Sequence, residues 1–412
     1  MSEQGVIEQG TVLVRDNRIE AVGEAGSVEI PANAHVIDLS GQTIAPGFVD
    51  THAHFRISRQ LYDSSEYSML ANLAYGVTTG MDVQPSTVDL LDVQDRIDAG
   101  QMLGPRALST GPGVFSNNDF NSQAHAVAIL KRYKERYRVD NIKAYISGSR
   151  QQRQWLIQAA AELKLMPTTE GALDMKLDLT HAIDGFSGLE HAFPVPHLYD
   201  DVIQLAAQTG IAYTPTLLVN FGGPSGENWF YTHESPYQDA KLRRFLPYQY
   251  IARRTLRRQW FHPTEYVTDI TASSARRIVD AGGQVGVGAH GQLQGLGYHW
   301  ELWALAAGGF DNHTALRAAT LMGAEMLGID TDIGSIEAGK LADLVVMRKN
   351  PLENIRHTNT LSHVVINGQV LNADTLDQIW PQQRPLPEQW WWTDQAEILS
   401  RQSSGVSGDP DG

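Results

Sequence analysis

Two kinds of apolar periodicity run along this chain. Near the start, short β-like stretches at 11–15, 18–22 and 35–38 are separated by the turn residues Asp16-Asn17 and by Gly23. Similar stretches return near the other end, at 342–347, 363–367 and 369–371, with Gly368 between the last two. Between these ends, apolar runs of strand length alternate with helical stretches. The runs fall at 43–49, 77–83, 106–110, 141–146, 166–170, 188–192, 212–219 and 284–289, and helices are predicted over 123–138, 150–163 and 200–208, among others. Strands alternating with helices predict βα units and a parallel sheet. Eight such units predict an α/β fold of the (β/α)8 TIM-barrel type.

The seventh unit carries a long insertion, 220–262, rich in aromatic residues such as Trp229, Phe230, Tyr231, Phe245 and Trp260. At the mouth of a barrel this length reads as a lid or substrate wall, or as a dimer interface. A tail over 376–412 holds Trp380 and Trp390-Trp391-Trp392 among prolines, and its small, polar end predicts disorder. The tryptophans are expected to pack outside the barrel or on a partner subunit, so the insertion and tail together favour a homo-oligomer.

Composition narrows the function. A length of 412 residues suits one large domain with a smaller one. Lys and Arg number 32 against 47 Asp and Glu, a net charge of −15 that disfavours nucleic acid and anionic membranes. Cysteine is absent, which excludes disulfides and thiolate chemistry. No apolar run is long enough for a membrane span. The opening residues lack the apolar segment of a signal peptide, so the chain as it stands is expected to be cytoplasmic, or exported if its N-terminus is truncated.

The candidate chemistry gathers at strand ends. The run 43–49 leads into Asp50 and then His52 and His54, spaced i, i+2. On a strand that spacing puts both imidazoles on one face, as ligands for Zn²⁺ or a similar ion or as a surface pair. Lys143 sits inside the fourth run, where a buried ammonium is costly unless paired or modified. Glu170 closes the fifth run, His191 the sixth, and His290 lies in the glycine-rich turn after the eighth. Corresponding ends of successive strands are where barrel active sites are assembled. Tyr145, Tyr213 and Trp300 are expected to wall a small-molecule pocket, and His299 and Glu301 to bind a substrate amine.

Three motifs carry a resemblance: Pro46-Gly-Phe-Val-Asp-Thr-His-Ala-His54, Gly188-Leu-Glu-His191, and a C-terminal block containing Gly334-Ser-Ile-Glu-Ala-Gly-Lys-Leu-Ala-Asp-Leu-Val-Val346 and Val364-Val-Ile-Asn-Gly368. The chain resembles the amidohydrolase superfamily, in particular its imidazolonepropionase- and prolidase-like branch. More narrowly it resembles the amidohydrolase domain that follows a Tol-type propeller in some exported bacterial proteins. The resemblance implies a metal-dependent hydrolase barrel over 43–332 and a small β-sandwich from 1–42 plus 333–375. It implies His52, His54 and His191 as metal ligands and Lys143 as a carboxylated bridge between two ions. Two positions depart from the pattern. Glu170 stands where the family usually has His, and His290 where it usually has a ligating, basic Asp. Either can ligate a metal or accept a proton. The expected activity is hydrolysis of an amide-like C–N bond in a dipeptide or N-acyl amino acid, with Zn first among Zn, Mn, Fe and Ni. The alternatives are an esterase or lactonase on the same site, or a metal-binding protein with degraded catalysis.

Overall fold

A computed structural model of the chain describes residues 5–57, 65–83, 89–114, 120–145, 148–171, 173–219, 222–256 and 258–392. The chain opens with a hairpin, β1 (Gly10–Arg15) and β2 (Arg18–Glu24), then runs through β3 (Thr43–Pro46) into β4 (Phe48–Ala53). Then come α1 (Tyr67–Ala74), β5 (Val77–Asp82), α2 (Asp89–Asp98), β6 (Arg106–Ser109), α3 (Gln123–Arg132), β7 (Asn141–Tyr145), α4 (Arg150–Leu163), β8 (Met166–Glu170), α5 (Met175–Asp184), β9 (Gly188–Glu190), α6 (Asp200–Thr209) and β10 (Ala212–Thr214). The insertion forms α7 (Gly226–His233), α8 (Ala240–Phe245) and α9 (Tyr248–Leu256). Helices α10 (Thr268–Asp280), α11 (Leu296–Ala307), α12 (Asn312–Ala318) and α13 (Leu321–Leu327) precede β11 (Leu344–Met347), β12 (Leu361–Ile366), β13 (Gln369–Asn372) and β14 (Gln378–Trp380).

Two parallel sheets form the centre, in the orders β4-β5-β6 and β10-β9-β8-β7. Every residue of β4 and β5 is buried, as expected of parallel strands covered on both faces. Hydrogen bonds link the sheet edges. Beyond β6, Val114 N donates to Lys143 O at 2.8 Å, and Tyr145 N returns a bond to Val114 O. On the other side Val285 bridges Tyr213 in parallel, Thr51 N donates to Val287 O at 2.9 Å, and His290 N donates to His52 O at 2.8 Å. An antiparallel sheet, β14-β13-β12-β11-β3, stands apart from these two.

Several expected strands change. The run at 43–49 is two strands, not one: β3 pairs with β11 in the antiparallel sheet, whereas β4 pairs with β5. The chain crosses at Gly47, where a Cβ would lie 2.0 Å from Thr78 Oγ1. The run at 212–219 stops at Thr214, because Pro215 and a left-handed Thr216 (φ 45°) turn it into a short 3-10 segment, Leu217–Val219. Residues 35–38 form no strand, and 284–289 contributes single bridging contacts. The helix expected over 123–138 ends at Arg132 and continues as one π turn, Tyr133–Tyr137.

The insertion is a packed layer. Phe230 stacks on Trp300 with ring centroids 5.1 Å apart, and Leu242, Phe245 and Ile251 are buried. The tail docks onto it: the indoles of Trp391 and Trp392 both donate to Arg244 O, at 2.9 and 2.6 Å. Residues 220, 221 and 257 of the insertion, and the tail beyond 392, lie outside the described residues.

Candidate active site and metal centre

One cavity of about 320 Å³ opens at the C-terminal ends of the parallel strands, lined by His52, His54, Tyr145, Glu170, His191, Val219 and His290. Strand alternation delivers these groups. His52 is the fifth residue of β4 and His54 follows two residues on, so both rings face inward with their Nε2 atoms 3.2 Å apart. Lys143 and Tyr145 share that relation on β7, and the ammonium lies 5.0 Å from the centre of the Tyr145 ring.

Two histidines reach the cavity by breaking alternation. His191 (φ 71°) and His290 (φ 59°) both occupy the left-handed region, as does Thr216 (φ 45°). For residues with a Cβ this conformation costs on the order of 1–3 kcal/mol each, and it persists where surrounding bonds over-determine it. Here His191 N donates to Thr214 O at 2.9 Å and His290 N to His52 O at 2.8 Å. Gly288 leaves the space: a Cβ there would stand 2.6 Å from His52 Cβ.

Acidic and hydroxyl groups behind the rings set their orientation. His52 Nδ1 lies 2.6 Å from Glu190 Oε2, and Glu190 Oε1 accepts from Thr168 Oγ1 at 2.5 Å. His54 Nδ1 lies 3.6 Å from Asp82 Oδ1, and His191 Nδ1 lies 2.8 Å from Thr216 Oγ1. Burial drives both members of the first pair toward neutrality: it pushes Glu190 up to about 7 and His52 well below the usual imidazole range. A proton shared between them leaves His52 Nε2 as a lone pair facing the cavity.

Glu170 takes the opposite course. Burial alone would raise its pKa, but hydrogen bonding to His191 and the charge of Lys143 outweigh it and hold the carboxyl at about 2. Its Oε2 lies 3.0 Å from Lys143 Nζ and 3.4 Å from His191 Nε2. The Lys143 ammonium, fully buried, is near enough for an ion pair but out of line for a hydrogen bond. Burial and the neighbouring His54 and His191 rings hold His290 down at about 2, so it is neutral.

His52, His54 and His290 each offer a ring nitrogen within 4.8 Å of the others, an arrangement that could hold a metal ion. Two facing Nε2 atoms at 3.2 Å, one already a lone pair, suit a shared cation.

Four sequence expectations fail on position. Tyr213 faces outward and is buried, its hydroxyl accepting from Phe193 N at 3.2 Å. Its neighbour Thr214 takes the inward place, against Thr51. Trp300, His299 and Glu301 lie on α11 in the packed layer, all fully buried. His299 bonds Thr358 Oγ1 and Tyr75 O at 3.0 and 2.9 Å. Glu301 accepts from Leu217 N and Leu218 N at 2.7 and 2.9 Å. None of the four lines the cavity. Conversely, Glu190, Asp82 and Thr216 were not singled out from sequence. Alternation along 188–190 and the Pro215-Thr216 break were the available signals.

Imidazoles and a carboxylate gather at the C-terminal ends of parallel strands, and sequence comparison gives the family. Residues 43–371 match the model of the amidohydrolase family, and the chain belongs to it. It is 24% identical over 405 residues to an imidazolonepropionase of Geobacillus sp. (strain WCH70), covering 90% of this chain and 92% of that protein. It is 23% identical over 428 residues to a guanine deaminase of Escherichia coli (strain K12), covering 87% and 86%. Its fold is similar to the crystal structure of a Xaa-Pro dipeptidase with bound methionine in the active site. The TM-score there is 0.65 at 20% identity, over 88% of this chain and 95% of that one. The protein is therefore a C–N bond hydrolase. Among the described residues, no helix is long and apolar enough to cross a membrane.

Proposed function

We propose that this cavity hydrolyses the amide-like C–N bond of a dipeptide or N-acyl amino acid with the help of a divalent metal, Zn²⁺ first. The observation that carries the reading is the convergence of four histidines and Glu170 on one cavity of substrate size, about 320 Å³, with the buried Lys143 paired to Glu170 behind it. The Xaa-Pro dipeptidase with the same fold supports the dipeptide class.

The donor set fits such a metal. Neutral imidazoles are ligands and protonated ones are not, and burial keeps His52, His191 and His290 neutral. His52, His54 and His191, with the Glu170 carboxylate and His290 beside them, would hold one or two ions. A bound cation supplies a water of lowered pKa and a Lewis acid for the scissile carbonyl. The chain's own groups do the rest. Glu170 or His290 takes a proton from the attacking water and returns it to the leaving nitrogen. Tyr145, half-buried on the cavity wall, orients the substrate.

Lys143 is the residue for carboxylation: its amine is fully buried, and a carbamate would replace a costly ammonium with a ligand. We read the two parallel sheets, joined through Val114 and residues 285–290, as one closed barrel. The hairpin and antiparallel sheet would then form the sandwich domain from both chain ends, with β3 as its connecting strand. The exposed Leu256 and Trp260 favour a homo-oligomer. A panel of dipeptides, N-acyl amino acids and aryl esters, assayed before and after chelation, tests the reading. Metal-dependent cleavage of the amides is expected. Cleavage of esters alone, or none, overturns the substrate class.

A further inference from the structure

The role of His290 is open in that reading: ligand, base or donor. The structure narrows it through a chain of contacts from the insertion. Arg254, on α9, donates through Nη1 to Gln292 Oε1. A guanidinium has no acceptor, so the amide oxygen must be the atom that faces it. The amide nitrogen then points the other way, and Gln292 Nε2 lies 3.1 Å from His290 Nδ1. An amide nitrogen only donates, so Nδ1 is the acceptor. In a neutral imidazole the single proton therefore sits on Nε2.

The surrounding contacts hold this chain in place. Tyr250, one turn before Arg254 on α9, directs its hydroxyl to Gly291 O and Gln292 O at 3.2 and 3.0 Å. Gln294 Nε2 donates to His54 O and Gly291 O at 2.8 and 3.2 Å. The turn is too tight for a side chain at Gly291, where a Cβ would stand 2.3 Å from His54 O.

We propose that Arg254 and Gln292 are positioning residues that fix His290 as the Nε2–H tautomer, making it a hydrogen-bond donor into the cavity rather than a metal ligand or general base. The proposal rests on the cavity being the active site and assigns the remaining roles within it. Glu170 is the proton acceptor. The water proton passes to its carboxylate as the C–O bond forms. The electron pair of the carbonyl moves onto oxygen, which accepts a hydrogen bond from His290 Nε2–H. The C–N bond then breaks, and the proton passes from Glu170 to the leaving nitrogen. His290 gives up no proton in this cycle; it stabilises developing negative charge.

The test is ¹⁵N NMR of protein labelled at the histidine rings, as purified and after titration with Zn²⁺. The His290 signals are assigned by loss in His290→Gln. Wild type should show His290 as Nε2–H in both states. In Gln292→Glu the new carboxylate can pair with Arg254 and accept from Nδ1–H, so His290 should switch to the Nδ1–H form. With the donor gone, kcat should fall by about 10²-fold while KM changes little. If Gln292→Glu does not fold, Arg254→Met carries the same test: the amide is free to rotate, and the single tautomer should give way to a mixture. A wild-type His290 found as Nδ1–H, or an Nε2 signal that shifts as a ligand on adding Zn²⁺, overturns the proposal. Metal content separates this from failure of the underlying reading. Zn²⁺ that binds wild type and His290→Gln but not His52→Ala supports both. Wild-type protein that binds no metal yet shows Nε2–H refutes the metal reading and leaves the tautomer assignment standing.

Discussion

Two regions of this molecule bury the same residue types to opposite ends. On α11, His299 and Glu301 are as buried as any group in the protein, and backbone or threonine groups satisfy them. At the strand ends, His52, His54, His191 and His290 bury their rings against one another, with ring centroids 4.5–5.0 Å apart in the contacting pairs. In the first region each polar atom has a neutral partner of fixed geometry, so the groups brace the fold. In the second, His52 Nε2 faces His54 Nε2 at 3.2 Å, which is stable when something cationic or protic completes it. Burial is common to both; the partners distinguish a brace from a site.

Substitutions can break that contrast, and the largest effect belongs to the cavity. His52→Ala should abolish bound metal and reduce hydrolysis to background, without loss of fold by circular dichroism. A variant that keeps both would place the metal elsewhere. Glu190→Gln should weaken metal binding about 10–100-fold, because the amide orients the His52 ring without supplying the carboxylate charge behind it. Competition against a coloured chelator reads that shift. Glu301→Ala should leave metal content unchanged but lower stability by about 3 kcal/mol, since Leu217 N and Leu218 N lose a buried acceptor. Urea unfolding measures it, and lost activity with intact stability would move Glu301 back into the site.

The smallest effect concerns pH. Burial holds His299 at about 3, below its unfolded value of 6.5, so between those values the unfolded chain binds the extra proton. The stability His299 contributes is present above pH 6.5 and is lost as pH falls toward 3. The gap in urea midpoint between wild type and His299→Gln should therefore narrow from pH 7 to pH 5. A gap that widens on acidification contradicts a neutral, bracing histidine.

The same contrast shows what could be read from sequence. His52 and His54 were legible because a two-residue spacing on a strand has one geometric meaning. Lys143 was legible because an ammonium inside a buried strand needs a partner, and Glu170, His191 and His290 because parallel strands end on the same side of the sheet. Glu190 was hidden beside His191: strict alternation would send neighbours to opposite faces, and the left-handed His191 lets both serve the interior. Tyr213 lies away from the cavity because the inward register belongs to Thr214, and the α11 residues do so because nearness in sequence to the run at 284–289 does not bring them to the cavity mouth. The Arg254–Gln292–His290 chain spans an insertion whose helices meet the turn at 290–292 only in three dimensions.

We propose, above all, that the strand-end histidines form a metal-dependent hydrolytic centre. Elemental analysis of the purified protein, paired with dipeptide hydrolysis before chelation, after it and after Zn²⁺ is restored, tests this most directly. One or two metal ions per chain are expected, none in His52→Ala, with activity that disappears on chelation and returns with the metal. Hydrolysis by a metal-free chain, unchanged by chelation, would contradict it.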